Sequence, residues 1–151
     1  MGNRAFALLI CGLISGCGGP SVVDSVEQSD LFPVVGKIDL DGQPIPDASV
    51  MLYPAEGTTE ALPNPPMGVV SPDGTFEIYT YRDGVRGKGC PAGEYRAYFS
   101  WSGSLAGLTE SQRDELAEKL PKKFLHPRSS GITVSVTPGV GASPEISLTS
   151  K

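Results

Sequence analysis

The stretch Gly93–Trp101 has the sequence GEYRAYFSW, and its pattern decides the fold class. Every second residue (Tyr95, Ala97, Phe99 and Trp101) is apolar or aromatic, and most of the residues between them are polar. A period of two places alternate side chains on opposite faces of an extended chain. The stretch therefore predicts a β-strand with one face in a hydrophobic core.

The same reasoning, applied outward along the chain, predicts six further short strands. They are Val34–Leu40, Ala48–Tyr53, Met67–Val70, Thr75–Tyr81, Ile132–Thr137 and Glu145–Thr149. Turn residues separate them, and the chain of 151 residues contains 19 Gly and 14 Pro. Loops are predicted at 55–66 and 82–91. Seven such strands predict an all-β fold, a seven-stranded antiparallel β-sandwich.

One short surface helix is predicted between the fifth and sixth strands. Thr109 and Gln112 have the spacing of a capping box, in which each side chain bonds the backbone N–H of the other residue. Leu108, Leu116 and Leu120 form a thin apolar stripe, and Pro121 is expected to end the helix.

The amino-terminal segment has the features of a bacterial lipoprotein signal. Arg4 precedes the apolar run Ala5–Ile14, which as a helix is about 15 Å long, too short to cross a bilayer. The run ends in Ile14-Ser15-Gly16-Cys17, which resembles a lipobox whose cysteine receives a diacylglyceryl group. A secretory signal with a chance cysteine is the alternative.

These features predict three parts: residues 1–16 as signal peptide, 17–31 as lipidated cysteine and flexible tether, and 32–151 as the folded domain. An edge strand within the tether is an alternative that the sequence leaves open. The predicted location is the cell envelope, on the outer membrane or the periplasmic face, with the membrane contacted through Cys17.

Composition excludes several kinds of function. The formal net charge is −5, without a basic cluster of the size that nucleic acid requires, so no nucleic-acid partner is expected. After processing, Cys90 is the one thiol left, either half-buried in a turn or linked to another chain. Asp39, Asp41, Asp73 and Asp83 lie at turns but lack the spacing of a calcium loop, so neither metal nor cofactor is predicted.

Several motifs together resemble a known family. Val35-Gly36-Lys37-Ile38-Asp39-Leu40-Asp41-Gly42-Gln43-Pro44-Ile45-Pro46-Asp47-Ala48 is similar to the opening of carboxypeptidase-regulatory-like (transthyretin-like, prealbumin-like) domains. Asp73-Gly74-Thr75-Phe76 and Pro91-Ala92-Gly93-Glu94-Tyr95 resemble the middle of such domains. Leu120–Phe124 with Ser129–Val134 resembles an ending that is frequent in planctomycete lipoproteins with this domain. The resemblance covers about residues 33–149.

The resemblance implies a β-sandwich that serves as a structural or docking module. A catalytic branch of the wider group, the 5-hydroxyisourate hydrolases, uses several histidines and a C-terminal Tyr-Arg-Gly-Ser. This chain has one histidine, His126, and ends in Leu148-Thr149-Ser150-Lys151. No Gly-x-Ser-x-Gly motif accompanies His126, so no enzyme is predicted.

The candidate binding surface consists of outward tyrosines and a small basic cluster. The tyrosines alternate with the predicted core residues of their strands, and aromatic side chains on an open face suit protein or sugar contacts. The set is Tyr53, Tyr79, Tyr81, Tyr98, Arg82, Arg86 and Lys88. We therefore expect a non-catalytic, lipid-anchored envelope protein whose sandwich serves as a structural or protein-interaction module, with an unidentified envelope protein or glycan as its partner. The alternative is a module for a glycan or peptide, using these tyrosines and the 55–66 and 82–91 loops.

Overall fold

The computed structural model describes residues 30–56 and 64–151, and almost all of its regular structure is β. The strands are β1 (Val35–Leu40), β2 (Gln43–Pro44), β3 (Ser49–Pro54), β4 (Met67–Val69), β5 (Thr75–Glu77), β6 (Tyr79–Arg82), β7 (Val85–Lys88), β8 (Gly93–Ser100), β9 (Ile132–Val136) and β10 (Glu145–Leu148). A five-residue helix, α1 (Glu110–Asp114), and a 3-10 turn, Lys122–Leu125, lie between β8 and β9. Two sheets contain all the strands.

The larger sheet has six strands in the order β7-β6-β4-β3-β8-β9, and every neighbouring pair is antiparallel. Its longest pairing is that of β3 with β8, in which Val50 faces Phe99 and Leu52 faces Ala97. These four side chains are buried. Because side chains alternate along a strand, their neighbours Met51 and Tyr98 project from the opposite face of the sheet.

The smaller sheet has four strands around β1. β10 lies parallel to β1, whereas β2 and β5 pair with β1 in antiparallel fashion. β5 and β6 are separated only by Ile78, whose N–H donates to the Val34 carbonyl at 2.9 Å and whose carbonyl accepts from Gly89 at 2.7 Å. The chain therefore passes from one sheet to the other at Ile78.

One hydrophobic core lies between the two sheets. The smaller sheet contributes Val34, Ile38, Ile146 and Leu148, and the larger one contributes residues such as Val50 and Phe99. Phe124, from the 3-10 turn, packs edge-on against Phe99 with ring centroids 6.5 Å apart. The full buried set is Val34, Ile38, Ile45, Ala48, Val50, Leu52, Val70, Phe76, Ile78, Cys90, Tyr95, Ala97, Phe99, Leu120, Phe124, Val134, Val136, Ile146 and Leu148.

All seven predicted strands correspond to strands of the structure, with four differences. The predicted strand Thr75–Tyr81 is divided into β5 and β6, one in each sheet. β7 lies inside the segment 82–91 that was predicted to be a loop, and β2 is an additional two-residue strand. The β1–β10 pair is parallel, so the fold is not antiparallel throughout.

The predicted helix is correct in its start and wrong in its length. Thr109 and Gln112 form the capping box: the Gln112 side chain accepts from the Thr109 N–H at 2.9 Å. The helix ends at Asp114, with Glu115 as its C-cap, because none of its residues is buried and no packing extends it. Leu120 enters the core from the segment that follows the helix.

Several predictions concern residues outside the described part of the chain. The signal peptide, Cys17, the tether up to residue 29 and most of the 55–66 loop (residues 57–63) belong to this group. Within residues 30–56 and 64–151, no helix has the length and apolar character needed to span a bilayer. The described chain enters the fold at Phe32, whose backbone exchanges hydrogen bonds of 2.9 and 3.1 Å with Cys90.

Candidate functional site

The outward face of the six-stranded sheet brings together the predicted tyrosines. Tyr53, Tyr79, Tyr81 and Tyr98 lie on β3, β6 and β8, and each alternates with buried residues of its strand. Three apolar side chains that the sequence analysis did not select complete this surface. We call the whole set the tyrosine face: Tyr53, Tyr79, Tyr81, Tyr98, Met51, Met67 and Val69.

Strand register makes the tyrosine face continuous. Met51 pairs with Met67 on one side and with Tyr98 on the other, and Met67 pairs with Tyr79. Directly paired residues have Cβ atoms about 4.5–5.5 Å apart, so these four side chains form one row across four strands. Tyr81 and Val69 are the most open members, at 43% and 56% exposure.

A charged cluster borders the tyrosine face on β7. The Arg86 guanidinium carbon lies 3.5 Å from the centroid of the Tyr79 ring, a close cation–π contact. Lys88 Nζ lies 3.4 Å from Glu77 Oε1, and the Tyr79 hydroxyl donates to Glu77 Oε2. We call Glu77, Tyr79, Arg86 and Lys88 the edge cluster.

The edge cluster has a defined electrostatic arrangement. The hydrogen bond from Tyr79 lowers the pKa of Glu77, and the nearby Lys88 and Arg86 act in the same direction. The same hydrogen bond raises the pKa of Tyr79. Glu77 therefore remains ionised at neutral pH, and with Arg86 and Lys88 beside it the cluster carries one net positive charge.

A shallow groove of about 330 Å³ joins the tyrosine face to the edge cluster. Its apolar part comes from Met67, Gly68 and Val69, and its other part from the tyrosines and Arg86. The complete lining is Met67, Gly68, Val69, Ser71, Glu77, Tyr79, Tyr81 and Arg86. Such a groove offers stacking surface, apolar contact and a guanidinium in one place.

Arg82 does not join this surface, although it was predicted with Arg86 and Lys88. It follows Tyr81 on β6, so its side chain leaves the sheet on the opposite face. Its charge acts on Tyr95, which is buried on that side. The predicted basic cluster of three residues is therefore reduced to two.

Cys90 is fully buried and carries a free thiol, and it lies at a β-bridge to Phe32 instead of half-buried in a turn. Burial raises the pKa of the thiol to about 11, and Tyr95 acts weakly against this. A protonated, enclosed thiol is a poor nucleophile and has no access to a second chain. Tyr95 itself donates to the Pro91 carbonyl at 2.9 Å.

The remaining candidates have structural roles. The His126 side chain is exposed, and its carbonyl accepts from the N–H groups of Ser129 and Ser130. Asp39 accepts from Gly42 N–H at 3.0 Å, and Asp73 accepts from the N–H and hydroxyl of Thr75. In the part of the chain that is described, no three His, Cys, Asp or Glu side chains are grouped as metal ligands.

Two features of the site escaped sequence reasoning. The first is the position of Met51 and Met67 beside the tyrosines. The sequence does not show it, because the row that they form arises only from strand register. β7 has the sequence VRGK, which lacks apolar alternation. The dipeptide Asp83-Gly84 was the available signal, because it favours a two-residue hairpin turn.

Comparisons of the chain with protein-family models, with curated proteins and with solved structures found no match.

Proposed function

We propose that this protein is a non-catalytic interaction module of the cell envelope, anchored by a lipid on Cys17. The observation that carries the proposal is the tyrosine face, a continuous row of Tyr and Met side chains on an open sheet, bordered by Arg86 and Lys88. Tyrosine, methionine and arginine are the residues enriched in protein interfaces. The bound partner is expected to be another envelope protein.

The fold that we propose is a transthyretin-like β-sandwich of the carboxypeptidase-regulatory-like type. Two sheets around one core support it, as do the turns at Asp41-Gly42 and Asp73-Gly74 that the family motifs contain. Such a scaffold fixes the backbone of the sheet face before a partner arrives, so the side chains on it start from set positions. Ordering the surface in advance reduces the entropy cost of binding.

The non-catalytic assignment rests on what the reactive side chains already do. The Cys90 thiol is enclosed and protonated, and Asp39 and Asp73 are engaged in turns. Glu77 is paired with Lys88 and Tyr79. Each of these groups therefore has a structural role in the fold.

Affinity capture from cell envelopes tests the interaction function. The lipidated protein should recover a specific partner, and the double variant Tyr79→Ala/Tyr98→Ala should lose at least about 90% of it, because truncating central aromatic side chains typically costs 2 kcal/mol or more. The matched control is Lys37→Ala/Ser147→Ala on the outward face of the smaller sheet, which should retain the partner. Equal recovery by both double variants would refute the assignment of the tyrosine face.

The lipid anchor has a separate test. Cys17→Ser should move the protein from the membrane fraction to the soluble fraction, because removing the acyl chains removes most of the membrane affinity. Cys90→Ser is the control, since it changes a cysteine that carries no lipid. Continued membrane partitioning of Cys17→Ser would contradict the anchor.

A glycan ligand is the second candidate, supported by the exposed ring of Tyr81 beside the groove. Sugars stack on open aromatic rings, whereas Arg86 already covers one face of Tyr79. A glycan array distinguishes the two functions. Binding that is lost in Tyr81→Ala and retained in Lys37→Ala would favour the glycan over a protein partner.

A further inference from the structure

The outer edge of β7 is open among the residues that the structure describes. β7 pairs with β6 on one side and with no described strand on the other. The incoming chain occupies that other side only past the end of β7, where Phe32 pairs with Cys90, so the edge is open along Val85–Lys88. Asp83 and Gly84 form the two-residue turn of this hairpin, with φ angles of +50° and +80° as in a type I′ turn. An open edge of this kind is a template for a further strand.

The hairpin geometry identifies which backbone groups face outward. In a two-residue hairpin the residues next to the turn, here Arg82 and Val85, exchange both hydrogen bonds. The next such pair is Thr80 with Gly87. The N–H and C=O groups of Arg86 and Lys88 therefore point away from β6, toward the open edge.

The side chains of the same two residues are positive and exposed. Arg86 and Lys88 alternate with the buried Gly87, so both project from the face that carries the tyrosines. Lys88 is 73% exposed, and Val85 at the start of the strand is 64% exposed. A strand added here has side chains directly opposite Arg86 and Lys88, where opposite charges stabilise the pair and like charges destabilise it.

We propose that β7 binds an extended acidic peptide segment of a partner protein by strand addition. Main-chain hydrogen bonds to Arg86 and Lys88 hold the segment, and carboxylates at alternate positions pair with their side chains. The charge also discourages a second copy of β7, because an antiparallel β7–β7 pair brings Arg86 and Lys88 of the two copies together. This inference rests on the proposed interaction function and names its surface and partner chemistry.

The test uses the full-length protein purified in detergent and a short labelled peptide of alternating Glu and Val, followed by fluorescence anisotropy. We expect saturable binding that weakens as salt is added, and no binding of the Lys/Val peptide. Methylating the backbone amide nitrogens of the peptide's Glu residues should abolish binding while the charge stays the same. A residue opposite Arg86 exchanges both backbone hydrogen bonds with it, and the methyl group removes the donor. Equal binding of the methylated peptide would overturn strand addition.

Charge reversal gives the second arm. Arg86→Glu/Lys88→Glu should weaken the Glu/Val peptide by about tenfold or more and create binding of the Lys/Val peptide. Lys37→Glu, on the smaller sheet, and Arg96→Glu, on β8 of the same sheet face, make single charge reversals elsewhere and should leave binding unchanged. A loss of similar size in either control, self-association in place of peptide binding, or no binding by the unaltered protein overturns the proposal. Failure here with continued Tyr79- and Tyr98-dependent capture leaves the interaction function standing.

Discussion

Gly89 occupies the point where the chain leaves β7 and meets the incoming segment at Phe32. Its φ is +91°, and a Cβ added there would lie 2.0 Å from the Phe32 carbonyl oxygen. That oxygen accepts the hydrogen bond from Cys90 that ties the start of the domain to the larger sheet. Both the backbone angle and the close approach therefore require glycine.

We expect Gly89→Ala to lower the free energy of unfolding by about 3 kcal/mol or more, because it adds a backbone clash to a strained φ. Gly84→Ala is the matched control: its φ is +80° and nothing lies within 4 Å of the added Cβ. It should cost about 1–2 kcal/mol from the backbone angle alone. Denaturant unfolding measures both values, and equal losses would contradict the packing described at Gly89.

The buried thiol of Cys90 makes stability depend on alkaline pH. Its pKa rises from 9.0 to about 11 on burial, so the unfolded chain releases this proton at a lower pH than the folded chain. Stability from this group is complete below pH 9 and is lost as the pH rises toward 11, by at most about 3 kcal/mol. Urea unfolding at successive pH values should therefore give a shallower decline for Cys90→Ala, which keeps Tyr95. Parallel declines would show that the thiol contributes nothing.

A single carboxylate, that of Glu118, fixes the segment between β8 and β9 to the rest of the fold, whereas the helix of this segment buries no residue. Glu118 accepts from Trp101 N–H at 2.9 Å, from the Ser100 hydroxyl at 2.7 Å and from Leu120 N–H at 2.9 Å. Trp101 is further fixed by its indole N–H, which donates to the Pro46 carbonyl at 2.9 Å. Glu118 thus joins the end of β8 to the residues that lead into the core.

Glu118→Ala should destabilise the protein by about 1–3 kcal/mol, because it removes the partner of three donors at once. The one tryptophan, Trp101, should report the local change through its fluorescence before global unfolding. Glu115→Ala, an exposed position on the same segment, should stay within about 0.5 kcal/mol of the unaltered protein. A larger effect at Glu115 than at Glu118 would contradict this role of the carboxylate.

The alternation of apolar and polar residues predicted the strands that bury one face. It did not predict elements that are defined by a turn and have few core contacts. β8 was predicted from Tyr95, Ala97 and Phe99, all of which are buried. β7 has only Gly87 facing inward, so it carries no apolar signal, and its turn rather than its core contacts define it. The spacing of Leu116 and Leu120 made the predicted helix too long. Leu120 is buried from a segment without helical backbone, so its burial was no sign of a helix.

At the scale of the whole molecule, the candidate site depends on which strands are neighbours in the sheet, and the sequence alone does not show this. The sequence identified Tyr53, Tyr79, Tyr81 and Tyr98 as outward residues, since each alternates with core positions. It could not place Met51 and Met67 between Tyr79 and Tyr98, because that neighbourhood follows from the order β6-β4-β3-β8. The sequence also grouped Arg82 with Arg86, although alternation along β6 places the Arg82 side chain on the opposite face of the sheet.

The two outward faces of the molecule have different character. The smaller sheet presents Lys37, Asp39, Glu145 and Ser147, with Ser147 donating to Asp39 at 2.9 Å. The exposed residues of this face are mostly polar, with Val35 as the apolar exception. The larger sheet presents the tyrosine face, and we expect the partner to bind there.

Site-specific photocrosslinking in living cells tests that claim most directly. Replacing Tyr81 with the photoreactive residue benzoylphenylalanine puts the probe at the open part of the tyrosine face, beside the groove. The same replacement at Lys37 puts it on the smaller sheet. Upon irradiation we expect a discrete crosslinked partner from position 81 and none from position 37. A partner captured from position 37 alone, or equally from both, would contradict this expectation.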